Sequence, residues 1–427
     1  MDTSTTGDVV TDPTGVADLP LDQPMSVEWC EQHFDHISQD LAQRLNPTLH
    51  AMRDRCPVAH SDQHGGFWVV TGYDNVMNVA RDWETFSSDD GVGIPKPQVA
   101  VKPLPVWADP PLQRAYRRIT NPHFTPMAVR VHDEATRLHV HRLIDQFIED
   151  GACEFMDAFA RPFPTTLFFE HYLNAPTDEA VHLGRVSETA TTPNHPDSPA
   201  AWMELFTWVQ EFTARRRTEE LRGDVVDAIV RADIDGRPIR DDEIIGLVLL
   251  LILGGLDTTT GALGQFMIRF CQEPAIPQLI RDRPDLLDDA VEELLRLDGP
   301  FISIARTATR DVELEGQHIK SGDKVLFYWA SANRDPSVFD DPDTFRLDRE
   351  SNRHVAFGMG PHRCSGSNVA RMNLRIAVRG LVDRLHNLEL EIDPAEIHWH
   401  SVHNRAPQSV PISFTPGGVS ESGELRP

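Results

Sequence analysis

The sequence predicts a mainly α-helical fold with small β-sheets. Three observations carry that expectation. Segments with helical periodicity or continuous apolarity, above all Asp241–Phe270 and Asn368–Leu388, outweigh the strand-like ones. The strand-like stretches, such as Gly66–Thr71 (GFWVVT), are short. Breaker-rich stretches without periodicity, Ser87–Pro111 and Thr189–Pro199, read as long loops, which are usually functional or disordered.

In chain order, residues 1–24 are rich in Pro, Thr and Asp and read as a disordered tail. Residues 25–416 read as one catalytic domain, and 417–427 as a second loose tail. After Gly66–Thr71 the pattern turns helical over Asp74–Val79. Helix resumes at Leu112–Asn121 after a Pro pair, and Val129–Asp150 reads as one amphipathic helix. Asp241–Phe270 is a long apolar helix and Leu286–Leu297 a charged one. Val312–Val325 alternates like a hairpin with its turn near Lys320–Asp323, and Asn368–Leu388 closes the series.

The net charge of -26 disfavours nucleic acid and anionic membrane as partners and favours solubility. Five widely spaced cysteines, odd in number and without a CxxC, argue against a disulfide framework and fit a reducing cytoplasm. The N-terminus lacks the apolar stretch of a signal peptide. The longest apolar run, Ile244–Leu256, is too short to span a bilayer. No nucleotide-binding glycine fingerprint follows a strand, and no ferredoxin cysteine pattern occurs.

Three motifs carry chemistry. In Phe357-Gly358-Met359-Gly360-Pro361-His362-Arg363-Cys364-Ser365-Gly366, the glycines permit a tight backbone path beside a flat ligand. Cys364 lies just before a helix, whose free N–H groups favour a thiolate. A lone Cys is most often an inert core residue; the surrounding segment is what sets this one apart. Glu293-Leu294-Leu295-Arg296 places Glu and Arg on one helix face, an arrangement common on exposed helices. Gly254-Gly255-Leu256-Asp257-Thr258-Thr259 interrupts the apolar helix. Each glycine there costs about 1 kcal/mol relative to Ala, and a mid-helix Asp needs a polar partner. A kink or a close ligand accounts for the glycines, and a helix–helix contact or a polar groove for Asp257.

The first segment resembles the heme-binding loop of the cytochrome P-450 family, FxxGxxxCxG, and Glu293–Arg296 is similar to its ExxR. A later Arg that joins that pair in the family is matched by Arg349, in the stretch from Asn333 to Arg349. The Gly-Gly-Leu-Asp-Thr segment is similar to the oxygen-activating helix of bacterial camphor-hydroxylating members. Asp109-Pro110-Pro111 through Arg117 is similar to their DPPExxxxR, with Gln113 where many carry His. The match runs from roughly Asn46 to Pro416.

The resemblance implies the triangular-prism fold of that family, heme b as cofactor, and Cys364 as ligand of its iron. It further implies cofactor contacts from Arg117, Gly254, Arg306, His354, Phe357, Gly358, His362 and Gly366, with Arg117, Arg306 and His354 on the heme propionates. Asp257 and Thr258 would deliver protons, and Glu293, Arg296 and Arg349 would brace the proximal side. The substrate pocket would include Leu250, Leu253, Gly254, Ile302, Ile304, His403 and Asn404. Four apolar residues of the first long loop, Ile94, Val99, Val101 and Leu104, are candidates to join it. Camphor-type enzymes carry small apolar residues where His403 and Asn404 stand, so this tip either faces solvent or anchors an oxygenated substrate.

The implied activity is a soluble cytoplasmic monooxygenase that takes O2, a small to medium hydrophobic substrate, and electrons from a ferredoxin with its reductase. Arg363, Arg371 and Arg375 would meet that acidic ferredoxin, or else form an ordinary charged helix face. A peroxide-driven peroxygenase would tend to replace the Asp/Thr pair, and a heme-thiolate isomerase or dehydratase would usually lose the threonine; both residues are present. A heme-binding sensor would need neither.

Overall fold

The computed structural model describes residues 33–420, apart from 98, 193–194 and 402. The expected tail at 1–24 lies outside the described residues. Helices dominate, and the largest sheet has five strands in the order Val58–Ser61, Phe67–Val70, Lys324–Tyr328, Ser303–Ala308, Phe86–Ser87. Its one parallel pair joins Phe67–Val70 to Lys324–Tyr328. In smaller sheets Pro411–Thr415 pairs with His386–Leu390 on one side and Ala152–Glu154 on the other, and Trp399–Ser401 pairs with Arg405–Pro407.

The helix Asp241–Gln272 is the axis of the molecule's largest apolar cluster. Its start is fixed by Glu243, which accepts from the Arg240 N–H (2.9 Å), the Tyr116 hydroxyl (2.8 Å) and both terminal nitrogens of Arg237 (2.8 and 2.7 Å). A carboxylate there also suits the positive helix end. By length and composition this helix could cross a membrane, yet Val248, Leu249 and Ile252 are wholly buried among other helices. It runs unbroken through Gly254-Gly255, so the glycines do not serve a helix break. A Cβ at Gly255 would sit 2.8 Å from the Phe168 ring, whereas one at Gly254 would meet nothing within 4 Å. One glycine admits a packed neighbour and the other borders open space.

Beneath this helix, Leu287–Asp298 carries the ion-pair centre of the fold. Glu293 receives Arg296 through two contacts of 2.8 Å, Arg349 Nε at 2.9 Å, and the Arg346 N–H at 3.0 Å. Arg296 also donates to the carbonyls of Asn333 (2.9 Å) and Pro342 (2.6 Å), and its guanidinium lies 5.1 Å from the centre of the Phe339 ring. Glu293 and Arg296 are almost completely buried. Such a pair survives burial because further hydrogen bonds occupy its remaining lone pairs and protons.

Four expectations are corrected. Val129–Asp150 is not one helix: Pro126–Arg130 ends at Val131, and Asp133–Ile144 follows. Val129, Val140 and Ile144 are all buried, so the apolar period continues across the break. The hairpin pairs Val312–Leu314 with Gln317–Ile319 and turns on Glu315 and Gly316, both at positive φ; Lys320–Asp323 is a second turn beyond it. The last helix is Ser367–Arg384, after which His386–Leu390 is a strand. The C-terminal stretch is docked through residue 420. Gly417 N–H donates to Ile148 (3.0 Å), and Arg384 holds both the Gly418 carbonyl (2.8 Å) and Asp145 (2.6 Å).

Candidate active site

One cavity of about 930 Å³ lies between the long helix and the loop before Ser367–Arg384. Cys364 and Gly254 both have exposed surface, although each sits deep in the molecule. The surface they expose opens inward, on this cavity. The Cys364 N–H donates to the Phe357 carbonyl (2.8 Å) and the Gly358 N–H to Val355 (2.9 Å), which curls the loop around the sulfur. Gly358 and Gly360 hold φ of 69° and 72°, a region where side chains are strained, and a Cβ at Gly360 would fall 2.6 Å from the Ala80 carbonyl oxygen. Phe357 lines the cavity with the Arg371 guanidinium 4.4 Å from its ring centre. Burial pushes the Cys364 thiol up, while the Gly366 N–H and the charges of Arg117, Arg363 and Arg371 favour the thiolate.

Arg117, Arg306 and His362 lie on the cavity wall. Arg117 donates to the carbonyls of Pro361 (3.1 Å) and Arg363 (2.6 Å), and Gln113 supports the same loop at Pro361 (2.7 Å). Arg306 is almost fully buried, donates to the Ala305 carbonyl (2.8 Å), and has no ion-pair partner among the described residues. Burial lowers its pKa to about 10. His362 contacts the Ser88 hydroxyl (3.2 Å); burial and then the charges of Arg306 and Arg117 lower it to about 3. A buried guanidinium with no ion pair among the described residues, which feels Asp109 only at longer range and shares the cavity wall with a second guanidinium, fits the carboxylates of a propionate-bearing ring.

His354 does not belong to this group. Its Nε2 bonds Glu292 (2.8 Å), which also holds Arg371 (2.6 and 2.7 Å), and it does not line the cavity. The cavity wall carries His362 instead, which stands closer to Cys364 in sequence. Ile302 is likewise turned away: it is buried in a separate cluster with Phe34, Leu326 and Tyr328, while Phe301 and Ile304 line the cavity.

Leu250, Leu253, Gly254, Asp257 and Thr258 face the cavity from the long helix. The Thr258 hydroxyl donates to the Gly254 carbonyl (2.8 Å). Asp257 accepts from the Ser187 hydroxyl (3.3 Å), and burial, reinforced by nearby Glu188, raises its pKa to about 8. Ser187 belongs to a separate helix, Ala180–Thr191, and no motif in the sequence marks it. The far wall is apolar: Ile94, Val99 and Leu104 from the first loop, and Phe168, Trp202 and Phe206 from helices, with Val101 outside it.

His403 and Asn404 line the cavity and do not face solvent. His403 Nδ1 contacts the Ser303 carbonyl (3.2 Å), burial lowers its pKa to about 4, and Asn404 Oδ1 is buried with no partner among the described residues. Arg405 turns away onto Trp399, 3.4 Å from its ring centre. Of the expected docking arginines, Arg371 and Arg375 are engaged by Glu292 and Asp133 (3.1 Å), so their charge is largely balanced; Arg363 has no ion pair among the described residues.

A family model described as Cytochrome P450 matches residues 171–409. The chain is 31% identical over 380 residues to a steroid C26-monooxygenase of Mycolicibacterium smegmatis, covering 86% of this chain and 91% of that protein. It is 30% identical over 378 residues to the cytochrome P450 monooxygenase PikC of Streptomyces venezuelae, covering 85% and 89%. A solved structure of a mutant of P450 EryK in complex with erythromycin B matches with a TM-score of 0.79 and 27% identity, over 89% of this chain and 98% of that one. A cysteine held at the mouth of a helix and a cavity with a cationic end are what such relatives would require, and this chain belongs to the cytochrome P450 family of heme b monooxygenases.

Proposed function

We propose that this protein inserts one oxygen atom of O2 into a C–H bond of a steroid- or terpenoid-sized apolar substrate that carries an oxygen function. We further propose that a soluble, cytoplasmic ferredoxin with its reductase supplies the electrons. The observation that carries the reading is the inward-facing sulfur of Cys364, at the junction between a cationic end and an apolar wall of one cavity.

Heme bound in this cavity supplies the reductive activation of O2 and the oxidising power for insertion. The residues around it bind, orient and carry protons. Cys364 is the thiolate ligand, and Arg117, Arg306 and His362 hold the propionates. Asp257 is protonated at pH 7, because its pKa stands at about 8. Its Oδ2 lies 3.3 Å from the Ser187 hydroxyl, a contact through which the carboxyl can exchange a proton. The Thr258 hydroxyl proton is committed to Gly254, which leaves the oxygen lone pairs to accept a hydrogen bond from the cavity. The two side chains form a short relay from Ser187 to the centre of the cavity.

The aliphatic and aromatic wall excludes water and favours an apolar skeleton. Asn404 Oδ1 lacks a partner among the described residues, and neutral His403 donates from Nδ1 to the Ser303 carbonyl, which leaves Nε2 an acceptor; this corner therefore selects a hydroxyl on the substrate. The name of the steroid-oxidising relative agrees with that size and chemistry.

The reduced, CO-bound spectrum tests the ligand: a Soret band without the red shift of a thiolate-ligated heme removes Cys364 from its role. Spectral titration with sterols and terpenoids tests the pocket. Turnover with NADH, a ferredoxin and its reductase, set against hydrogen peroxide alone, tests the electron source.

A further inference from the structure

A second cluster lies at the N-terminal side of the fold, outside the cavity. Asp35, His36 and His64 each offer one ligand atom, and these atoms lie within 4.8 Å of one another. Asp35 and His36 belong to the segment before the helix Gln39–Gln43. His64 sits at a left-handed position (φ 52°) in the turn between strands Val58–Ser61 and Phe67–Val70.

An ordinary ion pair accounts for two of the three residues: His64 Nε2 lies 2.8 Å from Asp35 Oδ1. It leaves His36 unexplained. That residue is 1% exposed, and neither ring nitrogen has a hydrogen-bond partner among the described residues. The Ile94 carbonyl approaches the ring but lies outside hydrogen-bond geometry. A buried imidazole with both nitrogens idle is costly unless something occupies one of them. Its ring centre is 5.4 Å from that of His64.

We propose that Asp35, His36 and His64 bind one zinc-class divalent cation, with water completing the coordination. Two imidazoles and a carboxylate form a donor set that zinc accepts in tetrahedral sites with one open position. Ligand atoms on a tetrahedral zinc stand about 3.4 Å apart, so the Asp35–His64 contact opens slightly and the wider contacts close by side-chain rotation. The side chains of Asp35 and His64 are 32% and 20% exposed, which leaves the ion a path from solvent, with His36 at the floor. The bound ion staples the segment before Gln39–Gln43 to the first hairpin. Ile37, next in the chain to His36, and Ile94 both line the substrate cavity, so the staple stiffens that wall.

The test is calorimetric titration of zinc chloride into the full-length, heme-loaded protein after chelator treatment, with zinc-edge X-ray absorption on the product. One tight equivalent with only nitrogen and oxygen ligands is expected. Asp35→Asn and His64→Ala, at partly exposed positions that keep the fold, each weaken it more than about tenfold. His60→Ala removes the neighbouring pair with Asp62 and leaves the affinity unchanged. Absence of a tight equivalent, sulfur among the ligands, unaltered affinity in both Asp35→Asn and His64→Ala, or a requirement for His60 each overturns the proposal.

Discussion

Replacing Asp257 by Asn is expected to make the protein more stable and less active, in a way that depends on pH. Burial, with Glu188 nearby, raises the Asp257 pKa from 3.8 to about 8. At about 1.4 kcal/mol per unit, that rise corresponds to on the order of 5 kcal/mol opposing ionisation in the fold. The carboxyl lines the cavity, so water admitted there screens part of the cost and about 2 kcal/mol is the expected net effect. The sign follows from proton binding. Between the ordinary Asp value and about 8, the folded protein keeps a proton that the unfolded chain has lost. Wild-type stability therefore falls as pH rises through this window, and above it the penalty is constant. Asn carries no such proton, and its amide oxygen still accepts from Ser187. Urea unfolding midpoints of the two proteins at about pH 5.5 and about pH 8.5 give the comparison. The advantage of Asp257→Asn must grow with pH, while its turnover drops on the order of a hundredfold through loss of the relayed proton. Parallel stability curves for the two proteins would refute the buried, protonated carboxyl.

Three further outcomes follow from the same geometry. Thr258→Ala keeps substrate affinity, since only a hydroxyl and a methyl group are lost, and diverts reducing equivalents to peroxide; the ratio of product to NADH consumed checks it, and full coupling removes Thr258 from the relay. Arg306→Gln lowers the ratio of bound heme to protein, whereas His354→Ala leaves that ratio intact and costs stability through Glu292, about 1–3 kcal/mol. Glu293→Gln leaves Arg296 and Arg349 facing one another without a counter-charge, and thermal unfolding should reveal a loss of about 3–5 kcal/mol.

Residues are legible in the sequence where the signal is local. The Cys364 loop and the Glu293–Arg296 pair are set by short spacings, so the order of amino acids alone is enough to pick them out. The choice between His354 and His362 is of another kind. Both precede Cys364, and what separates them is Glu292, distant in sequence, which captures His354. Ile302 escapes sequence reasoning for a similar cause. Its N–H is held by the His403 carbonyl (2.7 Å), which fixes the strand so that Phe301 borders the cavity. Ser187 carries no signal at all, because its role exists only where one helix crosses another. The break at Val131 is hidden by an apolar period that passes through it unchanged.

The buried charges of the Glu293 centre and the polar groups of the cavity are satisfied to different degrees. On the Glu293 side, every charge described above is answered: Glu293 by two arginines and a backbone N–H, Arg296 by Glu293 and two carbonyls. On the cavity side the buried polar groups are left under-occupied. Among the described residues, Arg306 has one carbonyl and no carboxylate ion pair, Asn404 Oδ1 has no partner, and Asp257 has a single hydroxyl. A stable fold does not gather such groups in one place without compensation, since each costs about 1–3 kcal/mol when buried alone. Under the proposed function, cofactor propionates would answer the first, an oxygenated substrate the second, and a retained proton the third. His36 repeats the pattern away from the cavity, and the same reasoning assigns it a metal ion. A motif tells which residues are present at a spacing; the unmet hydrogen bonds tell which of them the fold itself does not use.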